Sequence, residues 1–314
     1  MLKSMRLPAL ALLLVSTGCA TSLTTLQIAR PVEPKHFQAT FGGSIYAPLG
    51  SIGTVIGQAA KQAGNAKTAA ETGAPYTLSP EDQQDLITAG IGLAVLTPSA
   101  GYEMSVRTGI VKDLDVGLRY NVTSLRLDTK YRILHAGNGA ERPVPGQVSL
   151  ASRPEAEPVP YEPPANRSYD LAIGFGVSKY FFVNPIFSAL DYVKLNDFSR
   201  WDFEVPVYMS AEFGEVFKVY GAPKYVYSRT NLDANLVNYI QQASNLSGYD
   251  LTLPSEIHTH FIGATAGIAV GYKYVHLMLE LTGGYTICNP VVFGQKRNLG
   301  GLTLQPAAAL NLRF

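Results

Sequence analysis

The chain closes on GLTLQPAAALNLRF, residues 301–314. From Leu302 onward Leu304, Pro306, Ala308, Leu310, Leu312 and Phe314 are apolar at every second position, and Thr303, Gln305, Asn311 and Arg313 fall between them. A period of two marks a strand with one apolar and one polar face. Chain termini fray unless something holds them, so a strand at the very end needs a partner.

Reading outward, the same alternation recurs. HFQATFGGSIY at 36–46 sets Phe37, Ala39, Phe41 and Ile45 against Gln38, Thr40 and Ser44. YEMSVRTGI, LDVGLRYNV, LRLDTKYRI, YDLAIGFGVS and WDFEVPVYMSAEF repeat it, the last with Trp201, Phe203, Val205, Val207 and Met209 opposed to Asp202, Glu204, Ser210 and Glu212. FKVYGAPKYVY, FIGATAGIAVGYKY, VHLMLELTGGYTI and the terminal stretch bring the expected number of strands to ten. LITAGIGLAV at 86–95 also alternates, so twelve strands is the alternative reading.

Short turns are expected at Lys112-Asp113, at Gly214-Glu215-Val216 and around Tyr274, with longer connections at 48–99, 181–200, 230–256 and 288–300. Short turns at one end and long loops at the other are the asymmetry of a transmembrane barrel. An even strand number returns the last strand to the side of the first, and pairing the two leaves no open edge.

Composition agrees. The chain of 314 residues is 46% hydrophobic and holds 18 tyrosines and 29 glycines, which suit membrane interfaces and close strand approaches. No apolar run beyond the first twenty residues is long enough for a transmembrane helix, so entry into a bilayer requires a closed barrel. Without Lys3 and Arg6 the 25 basic residues become 23 against 24 acids, which argues against nucleic acid as a partner.

The start, MLKSMRLPALALLLVSTGCA, has Lys3 and Arg6, an apolar run from Leu7 to Val15, then small residues to Cys19, the layout of a secretory signal. Its end, VSTGC, resembles a bacterial lipobox, which implies acylation of Cys19. The alternative is an ordinary signal with Cys19 incidental. With Ala20 rather than aspartate after the cysteine, the resemblance implies sorting to the outer membrane. The ending ALNLRF resembles the carboxyl-terminal signature of bacterial outer-membrane barrels, which implies that Phe314 is read by their assembly machinery. The whole chain resembles the poorly characterised predicted barrel lipoproteins, a likeness that implies location and not activity.

The polar parity carries acids at Glu103, Asp115, Asp128, Asp170, Asp202, Glu204, Glu212 and Glu280. It carries bases at Arg107, Arg119, Arg126, Lys130, Arg132, Lys218, Lys224, Lys273 and Arg313. They nearly cancel, and ten strands enclose little more than side chains can fill, so these charges are expected to pair across a filled lumen. On the other parity charges fall only at strand ends, such as Lys179 and Arg229, because a charge at mid-membrane costs about 2–4 kcal/mol.

Catalytic candidates are weak. Omptin proteases, ten-stranded outer-membrane enzymes, set acids and a histidine at the outer rim, and here Asp202 and Glu204 open one strand while His258 and His260 in EIHTH open another. Both histidines fall on the lipid-facing parity, and no paired acidic motif surrounds them. As metal ligands the two lack a third partner, so no metal is expected. Gly174-x-Gly176 lies inside a strand with no helix after it, so it is no dinucleotide loop and no cofactor is expected.

The connections carry more. In SPEDQQDLITAG, Ser79 as cap, Pro80 in the first turn and Glu81 and Asp82 behind them start a helix that would cover the mouth, lie on the membrane or meet a partner. NPIFSALDYV at 184–193 and NLDANLVNYIQQ at 231–242 read as further helical stretches. The segment 137–167 holds seven prolines and should be extended, either a periplasmic arm or a sign that the register is wrong.

The expected organisation is therefore a signal at 1–18, a periplasmic linker at 19–35 and an all-β, antiparallel up-and-down transmembrane barrel at 36–314 with short helices in its outer loops. The expected function is a lipid-anchored structural or binding module, not an enzyme, meeting outer-membrane lipids, the assembly machinery and a periplasmic or surface protein. A small-solute channel and a rim hydrolase are the alternatives.

Overall fold

A computed structural model of the protein describes residues 22–73, 75, 79–121, 123–137, 167–181, 199–214, 216–232 and 254–314. The alternating stretches form β1 (Phe37–Pro48), β2 (Ser99–Val111), β3 (Leu114–Asn121), β4 (Ser124–Gly137), β5 (Arg167–Phe181), β6 (Ser199–Phe213), β7 (Phe217–Asn231), β8 (Glu256–Tyr272) and β9 (Val275–Cys288). The terminal stretch is β12 (Gly301–Arg313). Each pairs antiparallel with its sequence neighbours, and β12 pairs with both β9 and β1, closing a barrel of ten strands. At the seam the Phe37 amide donates to the Phe314 carbonyl (3.1 Å) and the Phe314 amide to that of Phe37 (2.8 Å), so the final residue is held.

The turns after β2, β6 and β8 gather at the end of the barrel that holds Phe37 and Phe314, called here the turn end. At the opposite end stand α1 (Leu49–Thr72) and α2 (Pro80–Val95), both in the β1–β2 connection. The α2 start is as its sequence dictates: the Ser79 side chain accepts from the Asp82 amide at 3.1 Å, with Pro80 in the first turn. Thus 86–95 is helix, not strand, and the barrel has ten strands, not twelve. The reason is its spacing: Ile91 and Val95, one turn apart, pack with Leu96, Leu232, Ile257, Cys288, Val292, Phe293 and Leu299 into an apolar stopper across this helix end, and Ile87 lies against it. Part of the stopper is a small hairpin, β10 (Val291–Val292) and β11 (Gln295–Lys296), whose turn residues Phe293 and Gly294 both have positive φ (54° and 71°).

The barrel is inside out. Leu127 on β4 is 57% exposed while the adjacent Asp128 is 2% exposed, and the same contrast repeats along the strands. Phe41, Phe175, Ile262, Leu279 and Leu310 share the exposed face. Aromatic residues flank it, with Trp201, Phe203 and Tyr227 toward the helix end and Tyr169, Phe213, Phe217 and Tyr272 toward the turn end. No described helix is long and apolar enough to cross a membrane.

Three expectations change. Residues 22–32 are not a tether outside the barrel: they run inside it, because their main chain finds hydrogen-bond partners there. Lys273 lies in the β8–β9 turn with Nζ over the Tyr272 ring (5.1 Å), not in the lumen. The β3–β4 connection at the helix end is as short as a turn, since Asn121 pairs with Ser124 and its side chain caps Thr123 and Ser124. The ends of the proline-rich arm, Gly137 and Arg167, stand at the turn end, in agreement with the register read from the sequence, so a long connection leaves from among the short ones. The arm itself (138–166), the 184–193 stretch, most of 231–242, and residues 1–21 with Cys19 lie outside the described residues.

Candidate functional site

The lumen is the candidate site. Its walls are the polar halves of the strands, and along it, from helix end to turn end, runs Ser22–Val32. Near the helix end the Ser22 amide lies 3.4 Å from the Tyr180 hydroxyl; near the turn end Arg30 meets Asp170 (3.3 Å) and Glu212 (3.2 Å). Between these points Leu23 to Ala29 are all buried.

Buried amides and carbonyls need partners, and a single extended segment cannot supply its own. The strands supply them. The Gln305 side chain accepts from the Leu23 amide (2.7 Å), and the Glu280 carboxylate accepts from the amides of Thr25 and Leu26 (2.6 Å each). Ser210 accepts from the Ala29 amide (3.2 Å) and Asp115 from that of Val32 (2.9 Å). On the acceptor side Arg119 donates to the carbonyls of Thr24 (2.7 Å) and Thr25 (2.6 Å), Lys130 to that of Ile28 (2.9 Å) and Lys224 to that of Leu23. Hydrogen bonds with one charged partner contribute about 1.5–3 kcal/mol each.

Side chains are accommodated as well. Leu23 packs against Tyr46, Val226 and Phe261. Leu26 and Ile28 enter a cluster with Tyr220, Ala269, Met278, Ala307 and Ala309, and Ala29 meets Ala172, Tyr208 and Ala222. The Thr24 hydroxyl donates to Glu103 (2.6 Å), and the Gln27 amide nitrogen to the Tyr208 hydroxyl (2.8 Å).

The lumen charges also pair with one another. Arg107 joins Asp115 (2.7 Å) and Asp128, Arg126 joins Glu204 and Asp128 (3.6 Å), Lys130 joins Asp115 (3.4 Å), and Arg119 joins Glu103 (3.8 Å). Lys224 lies 3.7 Å from Glu204, Lys218 3.3 Å from Glu212, and Arg132 at the turn end reaches Asp113 and Asp170 (3.5 Å). Glycines make the room: a Cβ on Gly176 would press on the Arg126 guanidinium, and one on Gly267 would lie 2.3 Å from the Tyr220 Cζ.

The four rim candidates do not converge. Asp202 faces inward against Arg200 (2.7 Å), and Glu204 is taken by Arg126 and Lys224. His258 and His260 face outward, sharing hydrogen bonds with Tyr227 (2.8 Å) and Tyr225 (2.7 Å) on β7, with His258 and Tyr227 stacked at 11°. Among the described residues no group of three or more histidine, cysteine or acidic side chains is placed to hold a metal.

The helix end is tied down by polar contacts. Arg200 donates to the Val95 carbonyl (3.3 Å), Ser51 to that of Leu299 (3.0 Å), and Arg297 to Asp85 (3.3 Å). Lys61 on α1 reaches Asp82 on α2 (2.8 Å); with further hydrogen bonds from Gln62 and Ser79, it holds that carboxyl below its usual range.

Sequence reasoning missed the lumen segment. The signal available was its character: SLTTLQIA, without a charge and with Leu23, Leu26 and Ile28, is poor in the charge and proline of a solvated tether.

No protein-family model and no curated protein matches the chain. Solved structures resemble it loosely. Neisserial surface protein A aligns over 89% of this chain and 96% of its own, at 10% identity and a TM-score of 0.31. The outer membrane protease of Escherichia coli aligns over 93% and 100%, at 10% identity and 0.34. The outer membrane phospholipase A of the same organism, as an active-site mutant, aligns over 94% and 95%, at 8% identity and 0.27.

Proposed function

We propose that the protein is an integral outer-membrane barrel with a closed lumen, a structural or binding module that meets its surroundings through the helix-covered mouth and the turn-end arm. Membrane insertion is supported by the exposed apolar band and its aromatic flanks, which water would penalise and hydrocarbon would not. The observation that carries closure is the passage of Ser22–Val32 through the bore, with the apolar stopper above it. Reconstituted in planar bilayers, the full chain should hold a sealed membrane. Steady conductance that changes on neutralising Arg119 or Glu204 would overturn this reading in favour of a channel.

The lipid anchor at Cys19 belongs to the same proposal and rests on the lipobox-like VSTGC. Labelled palmitate should enter the wild-type protein and not Cys19→Ala. Incorporation into the alanine variant would refute the anchor. A rim hydrolase is not favoured by the separation of His258 and His260 from Asp202 and Glu204 across the sheet.

A further inference from the structure

We infer that the lumen is a binding site for an extended polypeptide, and that Ser22–Val32 is its resident ligand, exchangeable for a second peptide of the same chemistry. The inference deepens the closed-barrel reading and rests on the barrel, not on its membrane address.

What distinguishes a binding track from an ordinary core is where the wall directs its polar groups. The amides of Leu23, Thr25, Leu26, Ala29 and Val32 and the carbonyls of Leu23, Thr24, Thr25 and Ile28 are each met by a side chain. Those side chains come from β3, β4, β6, β7, β9 and β12, strands far apart in sequence. Main-chain groups are common to every peptide, so this part of the grip is blind to sequence. Selectivity comes from the apolar niches that hold Leu23, Leu26 with Ile28, and Ala29. The ligand class is thus an extended peptide of about this length, uncharged over its first eight residues, with aliphatic residues at matching positions and a basic residue to meet Asp170 and Glu212 at the turn end, the chemistry of recognition by main-chain hydrogen bonds with side-chain pockets.

The wall is also unsuited to being left empty. Glu280 takes hydrogen bonds from two ligand amides, the Tyr220 hydroxyl (3.1 Å) and Thr282 (3.4 Å), so departure of the ligand strips the carboxylate of its two shortest. Arg119 likewise loses both carbonyls it bridges. Water or another peptide must replace them. The segment is joined to the barrel through Glu33–His36, exposed residues at the turn end, so its connection can be cut without touching the bore.

The test uses the folded full chain in detergent, with a protease recognition sequence replacing Glu33–His36. After cleavage the segment is held by non-covalent contacts alone, and a fluorescent synthetic peptide of residues 22–32 is added in excess. We expect the label to enter saturably, to be competed by unlabelled peptide, and to bind at least tenfold more weakly when Glu280→Gln is introduced or when the peptide carries Leu23→Asp and Leu26→Asp. A cleaved segment that never exchanges, a vacated bore that takes up no label, or an aspartate peptide that binds equally well would each overturn the inference. A second protein, lacking residues 22–32 and checked for its folded heat-modifiable form, should bind the same peptide directly. Because these readouts are made in micelles, they can fail while membrane fractionation still supports the barrel's address, and the converse.

Discussion

The two faces of β6 differ in what holds them. Trp201, Phe203, Val205 and Met209 point outward, with Lys179 over the Trp201 ring and Tyr227 stacked on Phe203, whereas Asp202, Glu204, Tyr208, Ser210 and Glu212 point inward and each is engaged through a hydrogen bond or an ion pair. The outer face is specified by class, since any apolar residue of fitting size meets hydrocarbon equally well. The inner face is specified residue by residue, since each charge depends on a particular counterpart. Substitution should therefore be costly inside for loss of a partner and costly outside only for change of class.

The largest effect is expected inside. Glu204→Ala leaves Arg126 and Lys224 buried without their shared carboxylate and should cost about 3–5 kcal/mol, whereas Phe203→Leu beside it should cost less than about 1.5 kcal/mol. Urea unfolding of barrels in lipid vesicles measures both, and equal losses would erase the distinction between the faces. Next comes a change of class outside. Leu281→Arg, near the middle of β9, should cost about 2–4 kcal/mol in vesicles and far less in a detergent that shields the charge. The third sharpens the contrast with one chemistry on both faces. Gly267→Ala drives a methyl into Tyr220 and should cost about 1–3 kcal/mol, while Gly221→Ala on the outer face, with only the Thr265 carbonyl near it, should cost less.

The smallest effects belong to the helix end, which neither face supports. Ser79→Ala removes the α2 cap and should lower local stability by about 1 kcal/mol, seen as faster amide exchange in the first turn of α2. The Asp82 carboxyl is held low by Lys61, so the tie between α1 and α2 should be complete above the ordinary carboxylate range and fade as the pH falls below about 4. Exchange from α1 that is indifferent to pH in that window would show the tie to be idle.

The barrel was legible because its pattern is local and repeated: alternation declares a strand wherever one face is apolar and the other polar. The same rule misleads at 86–95, where alternating small residues imitate a strand. The better signals were the Ser79-Pro80 start and the turn spacing of Ile87, Ile91 and Val95. The charges of the lumen could be listed from parity, but their partners could not, because Arg126 finds Glu204 across β5 only in three dimensions. Ser22–Val32 was illegible for a stronger reason. It has no period, and what orders it comes from residues such as Glu280 and Gln305, more than 250 positions away.

The position of that segment bears on how the molecule is made. It is the stretch just before β1, and the ring around it closes only when β12, at the far end of the sequence, reaches β1. Drawing the segment afterwards up a finished bore would strip its amides of water over some 30 Å of travel, each at a cost of about 1–3 kcal/mol until paired. Rolling the sheet around it lets every amide trade solvent for its wall partner while the seam is still open. Synthesis and closure thus meet at one point in time: the first part of the barrel to be translated waits, uncovered, for the last.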